Sequence, residues 1–208
     1  MRKEETPGDV RDLSFIEKAR RAQIVACAID TIAEVGYAQA SLAKIARRAG
    51  ISKGVISYHF AGKDELIQQV VVEVLNTGVA FMLPKIKAET TAAGALRAYI
   101  ASNLAFMREY RNHILALLEI WSHYRPGSGS DHDVSNWFET TVRGLEEILR
   151  WGQESGEFRA FSTRVMAIAI RNAIDGIPPQ MAACADLDLD VYTRELVTLF
   201  DLATRNQS

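Results

Sequence analysis

The chain has 208 residues, 48% of them hydrophobic, with 24 Lys or Arg against 26 Asp or Glu and a formal net charge of −2. That length is enough for a small unit plus one larger core, and the composition is ordinary for a soluble protein. No run of eighteen apolar residues occurs, and the charged start MRKEETPGDVRDLSF has no apolar h-region, so neither a membrane span nor secretion is expected.

The charge is not evenly spread. Residues 1 to 63 hold eleven Lys or Arg against seven Asp or Glu, a net of +4, and the remainder is net −6. Lys18, Arg20, Arg21, Lys44, Arg47, Arg48, Lys53 and Lys63 would supply long-range attraction to phosphates at that basic end, although basic helices are often only solvated faces. Cys27 and Cys184 are far apart, and Cys27 sits in an apolar stretch, which predicts two buried free thiols and no disulfide.

In chain order, residues 1–14 read as a flexible tail. From Phe15 to Val35 the spacing of Ile16, Ala19, Ile24, Ala28, Ile29 and Ile32 predicts a helix packed behind the two short helices after it, closed by Gly36. Ser41 is a hydroxyl N-cap before Leu42, Ile45, Ala46 and Ala49, which recur at three- and four-residue spacing, and Gly50 ends that short helix as a C′ glycine. Ser52 caps the next helix, whose Ile56 and Phe60 lie four apart and face inward. Two short helices around a glycine turn form a helix-turn-helix; the alternative is an αα-hairpin that merely exposes an aromatic. At about 100° per residue, the outward face of the second helix carries Gly54, Ser57 and Tyr58, with Lys53 and Val55 at its margins and no acidic residue. Short side chains let backbone approach base edges, while Lys53, Tyr58 and His59 flank them within reach of phosphates.

The stretch from Ile24 to about Val71 resembles the TetR family of bacterial regulators. It carries AIDTIAEVGYAQASLAKIARRAGIS, the run SKGVISYHF and the K-D-E-L of Lys63 to Leu66. The resemblance implies that Ser41, Tyr58, His59 and Lys63 contact phosphates, while Lys53, Gly54, Val55 and Ser57 face the bases. Family members often carry an aromatic where Ser57 stands, so a ring contact at that position is not carried over.

A long helix is predicted from near Asp64 to about Phe81, with Leu66, Ile67, Val70, Val71, Val74 and Leu75 as its stripe and Pro84 ending or bending it. Leu96–Tyr110, Ile114–Tyr124, Val134–Ser155, Thr163–Met181 and Leu189–Thr204 all show helical spacing, without strand-like alternation. RPGSGSDHD, Arg125 to Asp133, reads as a connecting loop and not a phosphate cradle. Tyr99, Phe106, Met107, Trp121, Tyr124, Trp137, Phe138 and Met166 are candidates to line a cavity between helices, or simply fill the core. Glu119 or Asp175 would neutralise a cationic ligand there.

His113, His123 and His132 match no metal spacing, and no nucleophile–base arrangement has local support, so no catalytic residue, no metal and no cofactor are expected. The segment SGEFRAFSTRVMAIAIRNAIDGIPPQM is similar to the C-terminal region of the choline/betaine-type repressors of the TetR family. That similarity implies a four-helix dimer interface with Ile168, Asn172, Ile174, Leu196, Leu199, Phe200 and Ala203 near the twofold axis; the other reading makes them the inner face of two core helices.

The expectation from sequence is therefore an all-α cytoplasmic protein. Residues 15–62 form a helix-turn-helix DNA-binding domain, 63–88 a connecting helix, and 89–208 an effector-binding and dimerisation domain. Its partners would be a double-stranded DNA operator, a small-molecule effector and a second copy of itself, with no membrane, and its role that of a ligand-responsive repressor. A ligand-independent architectural or co-regulatory DNA-binding protein, and a helical small-molecule-binding module without DNA binding, remain alternatives.

Overall fold

The computed structural model describes residues 7–123 and 134–206. Ten helices run through them in the order α1 (Pro7–Val35), α2 (Leu42–Arg48), α3 (Lys53–His59), α4 (Lys63–Lys87), α5 (Ala92–Glu109), α6 (Arg111–Ser122), α7 (Val134–Glu154), α8 (Thr163–Asp175), α9 (Ile177–Ala183) and α10 (Leu189–Thr204). Among the described residues no strand forms, and one isolated antiparallel bridge joins Phe158 to Arg205. The all-α expectation holds.

The chain divides into two compact units. The first takes Met1–Val74 together with Leu115–Arg125, and the second takes Leu75–Ile114 and Pro126–Ser208. Within the first, Ile24, Ala28, Ile29 and Ile32 of α1 pack with Ile45 and Ala46 of α2, Ile56 of α3, Phe60, and Leu66, Ile67 and Val70 of α4, all of them buried. Each of these lies on the stripe its helix period dictates. Ser41 and Ser52 cap α2 and α3: the Ser41 hydroxyl accepts the Lys44 N–H at 3.2 Å and the Ser52 hydroxyl the Val55 N–H at 3.4 Å. Gly50 has φ +66, the left-handed conformation that closes a helix, and the Ile51 N–H then returns to the Ala46 carbonyl at 3.0 Å.

Helix α1 is longer than its apolar stripe. It begins at Pro7, where a proline's missing N–H costs nothing, so residues 7–14 are helical and not a tail. Phe15 and Ile16 are 72% and 59% exposed and Ala19 is exposed too, so these three do not pack behind the helix pair. Helix α4 likewise continues one turn past Pro84, whose interruption falls where few helical bonds remain to be lost. By length and composition alone α4 would serve as a membrane span, yet its Leu66, Ile67, Val70, Val71 and Val74 are core residues of the first unit.

In the second unit α5 packs against α7, α8 and α10, and α7 against α8. The core holds Leu96, Tyr99, Ile100, Leu104 and Phe106 of α5, Val142, Leu145 and Leu149 of α7, and Ile170 and Ile174 of α8. The single helix expected over Thr163–Met181 is broken at Gly176. Pro178 and Pro179 fall in the first turn of α9, where proline is tolerated. Glu157 ties a distant turn to the start of α5: its carboxylate accepts the Ala92 and Ala93 N–H groups, each at 3.0 Å, and the Ser155 hydroxyl at 3.0 Å. These bonds, Ala93 foremost, hold its carboxyl below the usual range against the opposing effect of burial.

Candidate nucleic-acid interface

Helix α3 turns Ile56 inward and leaves Lys53, Gly54, Ser57 and Tyr58 exposed, with Val55 and His59 half-buried. Ser41, at the start of α2, is exposed, and Lys63, at the start of α4, is half-buried. All eight residues belong to the first unit, and the outward face of α3 is made of the side chains expected there. A Cβ at Gly54 would meet only the Ser52 hydroxyl at 3.6 Å, so nothing in the fold demands a glycine at this position. What a missing side chain does there is let an external partner come close to backbone.

Three groups around this face were not legible in the sequence. The Tyr58 hydroxyl, on a side chain 75% exposed, donates to the Glu17 carboxylate of α1 at 3.2 Å, which brings an acidic group to a face that has none of its own. Arg21 of α1 donates to the His59 carbonyl and at 3.2 Å to Glu65, and its guanidinium lies 4.2 Å over the Phe60 ring. Arg21 therefore fastens the end of α3 and is not a loose cation. Lys63 donates to the Tyr37 carbonyl at 2.8 Å and sits 4.3 Å over the Tyr37 ring, where burial pulls its ammonium below the ordinary range against Asp64, which favours the charge. Arg48 is likewise paired, with Glu34 and with Asp30 at 3.9 Å. Arg21, Arg48 and Lys63 are thus held in place by partners within the unit and are not freely rotating cations.

The candidate ligand residues scatter. Tyr99, Phe106 and Met107 are buried in the core of the second unit, and Phe138 and Met166 pack partly buried against it. Trp121 belongs to the first unit. Tyr124 and the loop with His132 lie outside the described residues, as does the side chain of Trp137 in α7. Tyr99 is committed to a polar cluster: buried Arg171, 3% exposed, donates to the Tyr99 hydroxyl and to Asn103 Oδ1, each at 3.1 Å, and grips Asp175 with two bonds. Glu119 accepts the Tyr37 N–H at 3.1 Å. Both carboxylates expected to meet a cationic ligand are therefore already held by protein groups.

The second unit does contain a cavity of about 320 Å3, lined by Met107, Arg108 and Arg111 with Met181, Ala185 and Leu187–Asp190. Met107 is the one residue it shares with the expected set. Its lining mixes aliphatic and thioether side chains with two arginines and two aspartates, and these charges are partly engaged. Arg108 pairs with Asp190 at 2.7 Å, Asp188 caps α10 through the N–H groups of Asp190 and Val191, and Arg111 donates to the Met181 carbonyl at 2.6 Å.

Of the candidate dimer residues, Ile174 and Phe200 are buried in the protomer's own core, so they do not face a partner. Asn172 and Leu199 are exposed, and Ile168, Leu196 and Ala203 are half-buried. Val165 and Leu202, which helical spacing alone did not single out, are exposed apolar residues on the same two helices. Both cysteines are free, but Cys27 is half-buried and Cys184 exposed, so neither is the deeply buried thiol expected.

A family model described as bacterial regulatory proteins, tetR family, matches residues 24–70, the span that builds this interface. The HTH-type transcriptional regulator BetI of Cronobacter sakazakii is 26% identical over 188 residues, 87% of this chain and 93% of that protein. BetI 1 of Chromohalobacter salexigens is 32% identical over 108 residues, so there the chain spans about half the relative's length, 54%, and 51% of its own. The fold matches that of the transcriptional regulator FadR from Bacillus subtilis in complex with stearoyl-CoA, with a TM-score of 0.75 at 24% identity over 86% of this chain and 96% of that one. The capped helix pair and its polar outward face thus fall within the stretch, residues 24–70, that matches the tetR family of bacterial regulatory proteins.

Proposed function

We propose that this protein is a ligand-responsive transcriptional repressor that binds a palindromic operator as a homodimer and is released by a small molecule. The observation that carries the reading is the outward face of α3: exposed Lys53, Gly54, Ser57 and Tyr58 on a helix anchored by Ile56 and clamped by Arg21. Lys53, Gly54, Val55 and Ser57 read base edges, and Ser41, Tyr58, His59 and Lys63 take phosphates. Two copies present their α3 helices to successive major-groove turns, about 34–36 Å apart.

Exposed apolar residues on α8 and α10, chiefly Val165, Leu199 and Leu202, support dimerisation through those helices together with Asn172, Ile168, Leu196 and Ala203. The cavity beside Met107 and Arg111 supports the effector part, since its size falls at the lower end of small-molecule sites, about 300–1,000 Å3. Its mixture of Met and Leu side chains with two arginines and two aspartates suits an amphipathic compound with a polar head. The stearoyl-CoA in the FadR complex is an amphipathic molecule of this kind. An effector switches the protein only by binding one state better, and a difference of about 1–3 kcal/mol changes occupancy by roughly 5–150-fold.

The test is selection of bound fragments from a random DNA pool, followed by mobility-shift titration of the winner with and without pooled cell metabolites. A palindromic winner whose affinity drops with a metabolite fraction is the expected result. Absence of binding to any duplex at low salt would remove the regulator reading, and binding indifferent to every fraction would leave the architectural alternative.

A further inference from the structure

Glu119 lies on α6, in the stretch Leu115–Arg125 that clusters with the first unit, 82 positions from the residue it holds. Its carboxylate accepts the backbone N–H of Tyr37 at 3.1 Å, in the turn between α1 and α2. The preceding Gly36 has φ +78, and a Cβ there would stand 3.1 Å from the same carboxylate oxygen. Any side chain at 36 is therefore strained by its backbone and crowded by Glu119. The Tyr37 ring lies against the His123 ring, with centroids 5.2 Å apart, and His123 Nδ1 is 2.9 Å from the Glu119 carbonyl. Glu119 of α6 thus holds the Tyr37 backbone, and His123, the residue after that helix, lies against its ring.

Tyr37 in turn grips Lys63. Its carbonyl accepts one ammonium N–H at 2.8 Å and its ring faces the charge. A lysine ammonium has three N–H groups, so two remain for oxygens outside the unit. A long side chain loses rotamer freedom when a partner immobilises it, and a chain held in advance loses less.

We infer that Glu119 is a positioning residue for DNA binding: by fixing Tyr37 it presets the Lys63 ammonium for a phosphate. The inference rests on the operator-binding reading of Lys63 and extends it to a residue that touches no DNA.

The experiment uses the full chain and a random-sequence duplex of about 40 base pairs at low salt, since a phosphate contact is sequence-independent. Glu119→Leu, and the milder Glu119→Asp, which withdraws the carboxylate by one methylene, are each expected to weaken binding about three- to tenfold. Glu119→Gln keeps an acceptor oxygen and stays within about twofold of the parent. Lys63→Met weakens binding and lowers the salt slope by about one, and in that background neither Glu119→Leu nor Glu119→Asp weakens it further. If Glu119→Asp, confirmed folded by circular dichroism, binds like the parent, or weakens the Lys63→Met protein by the same factor, the positioning role is wrong. If the parent itself binds no duplex, the operator reading fails with it.

Discussion

On α3 the residues left to solvent are Lys53, Gly54, Ser57 and Tyr58, whereas α8 and α10 leave Val165 66%, Leu199 55% and Leu202 48% exposed. The two surfaces face water with opposite chemistry. Short and hydrogen-bonding groups lose little by staying hydrated and gain from charged oxygens and base edges. Apolar side chains gain about 25 cal/mol for each Å2 that a partner removes from water, so they suit a matching protein surface and not a nucleic acid. On the proposed function, the first surface is the one that meets DNA and the second the one that meets a copy of the chain.

The largest expected effect comes from charging the apolar helices. Val165→Asp with Leu199→Asp puts two carboxylates where a partner would need oil, and the dimer should dissociate in sedimentation. Operator affinity then falls by roughly 10²–10⁴, because the second half-site no longer binds intramolecularly. A double variant that still sediments as a dimer would move the interface elsewhere and break the contrast.

A smaller effect is expected at the start of α5, where the Thr91 hydroxyl accepts the Gly94 N–H and the Glu157 carboxylate adds bonds from the Ala92 and Ala93 N–H groups. This is a second cap that α2 and α3 of the first unit, capped by the Ser41 and Ser52 hydroxyls, do not show. Glu157→Gln should lower stability at pH 7 by about 1 kcal/mol in urea unfolding. Because the folded-state carboxyl is held below its ordinary range, its contribution is complete above about pH 4.3, the usual glutamate value. It is lost as pH falls through the folded-state value, so variant and parent should converge in acid below the usual glutamate range. A gap that persists in acid would assign the effect to packing.

The smallest effect is expected at Tyr58. Tyr58→Phe removes a phosphate donor but also the hydroxyl that Glu17 now holds, so the bond to DNA replaces one already made. Affinity for all duplexes should fall only about two- to fivefold, with sequence preference unchanged. A changed preference in mobility-shift titration would put the ring at the bases.

Much of the first unit was legible because its signals are local. Ser41, Gly50 and Ser52 mark helix ends through bonds that span at most five residues, and Ile56 and Phe60 declare the inner face by spacing alone. The outward face of α3 follows from which side those two occupy, whereas the contact roles of Ser41 and Lys63 come only from the resemblance. Which residues line the cavity was not legible, since an aromatic that fills a core and one that lines a cavity have the same periodicity: Tyr99 and Phe106 are core, and Arg111, Leu187 and Asp188 around the cavity carry no pattern. The dimer set failed at Ile174 and Phe200 for a related reason. Both helices are apolar on more than one face, and helical spacing does not say which face a neighbour covers.

By itself the sequence determined where the short helices begin and end, that the chain is all-α, and which face of α3 is left outward, because caps, glycine turns and the helical period act between near neighbours. The tertiary structure alone decided that Leu115–Arg125 joins the first 74 residues and that Arg21 clamps the end of α3. It also decided that Glu119 and Asp175, similar carboxylates on helices, are held by a turn backbone and a buried guanidinium. Charge and composition are the same wherever the chain brings those groups, and partners tens of residues apart are chosen by how the helices pack.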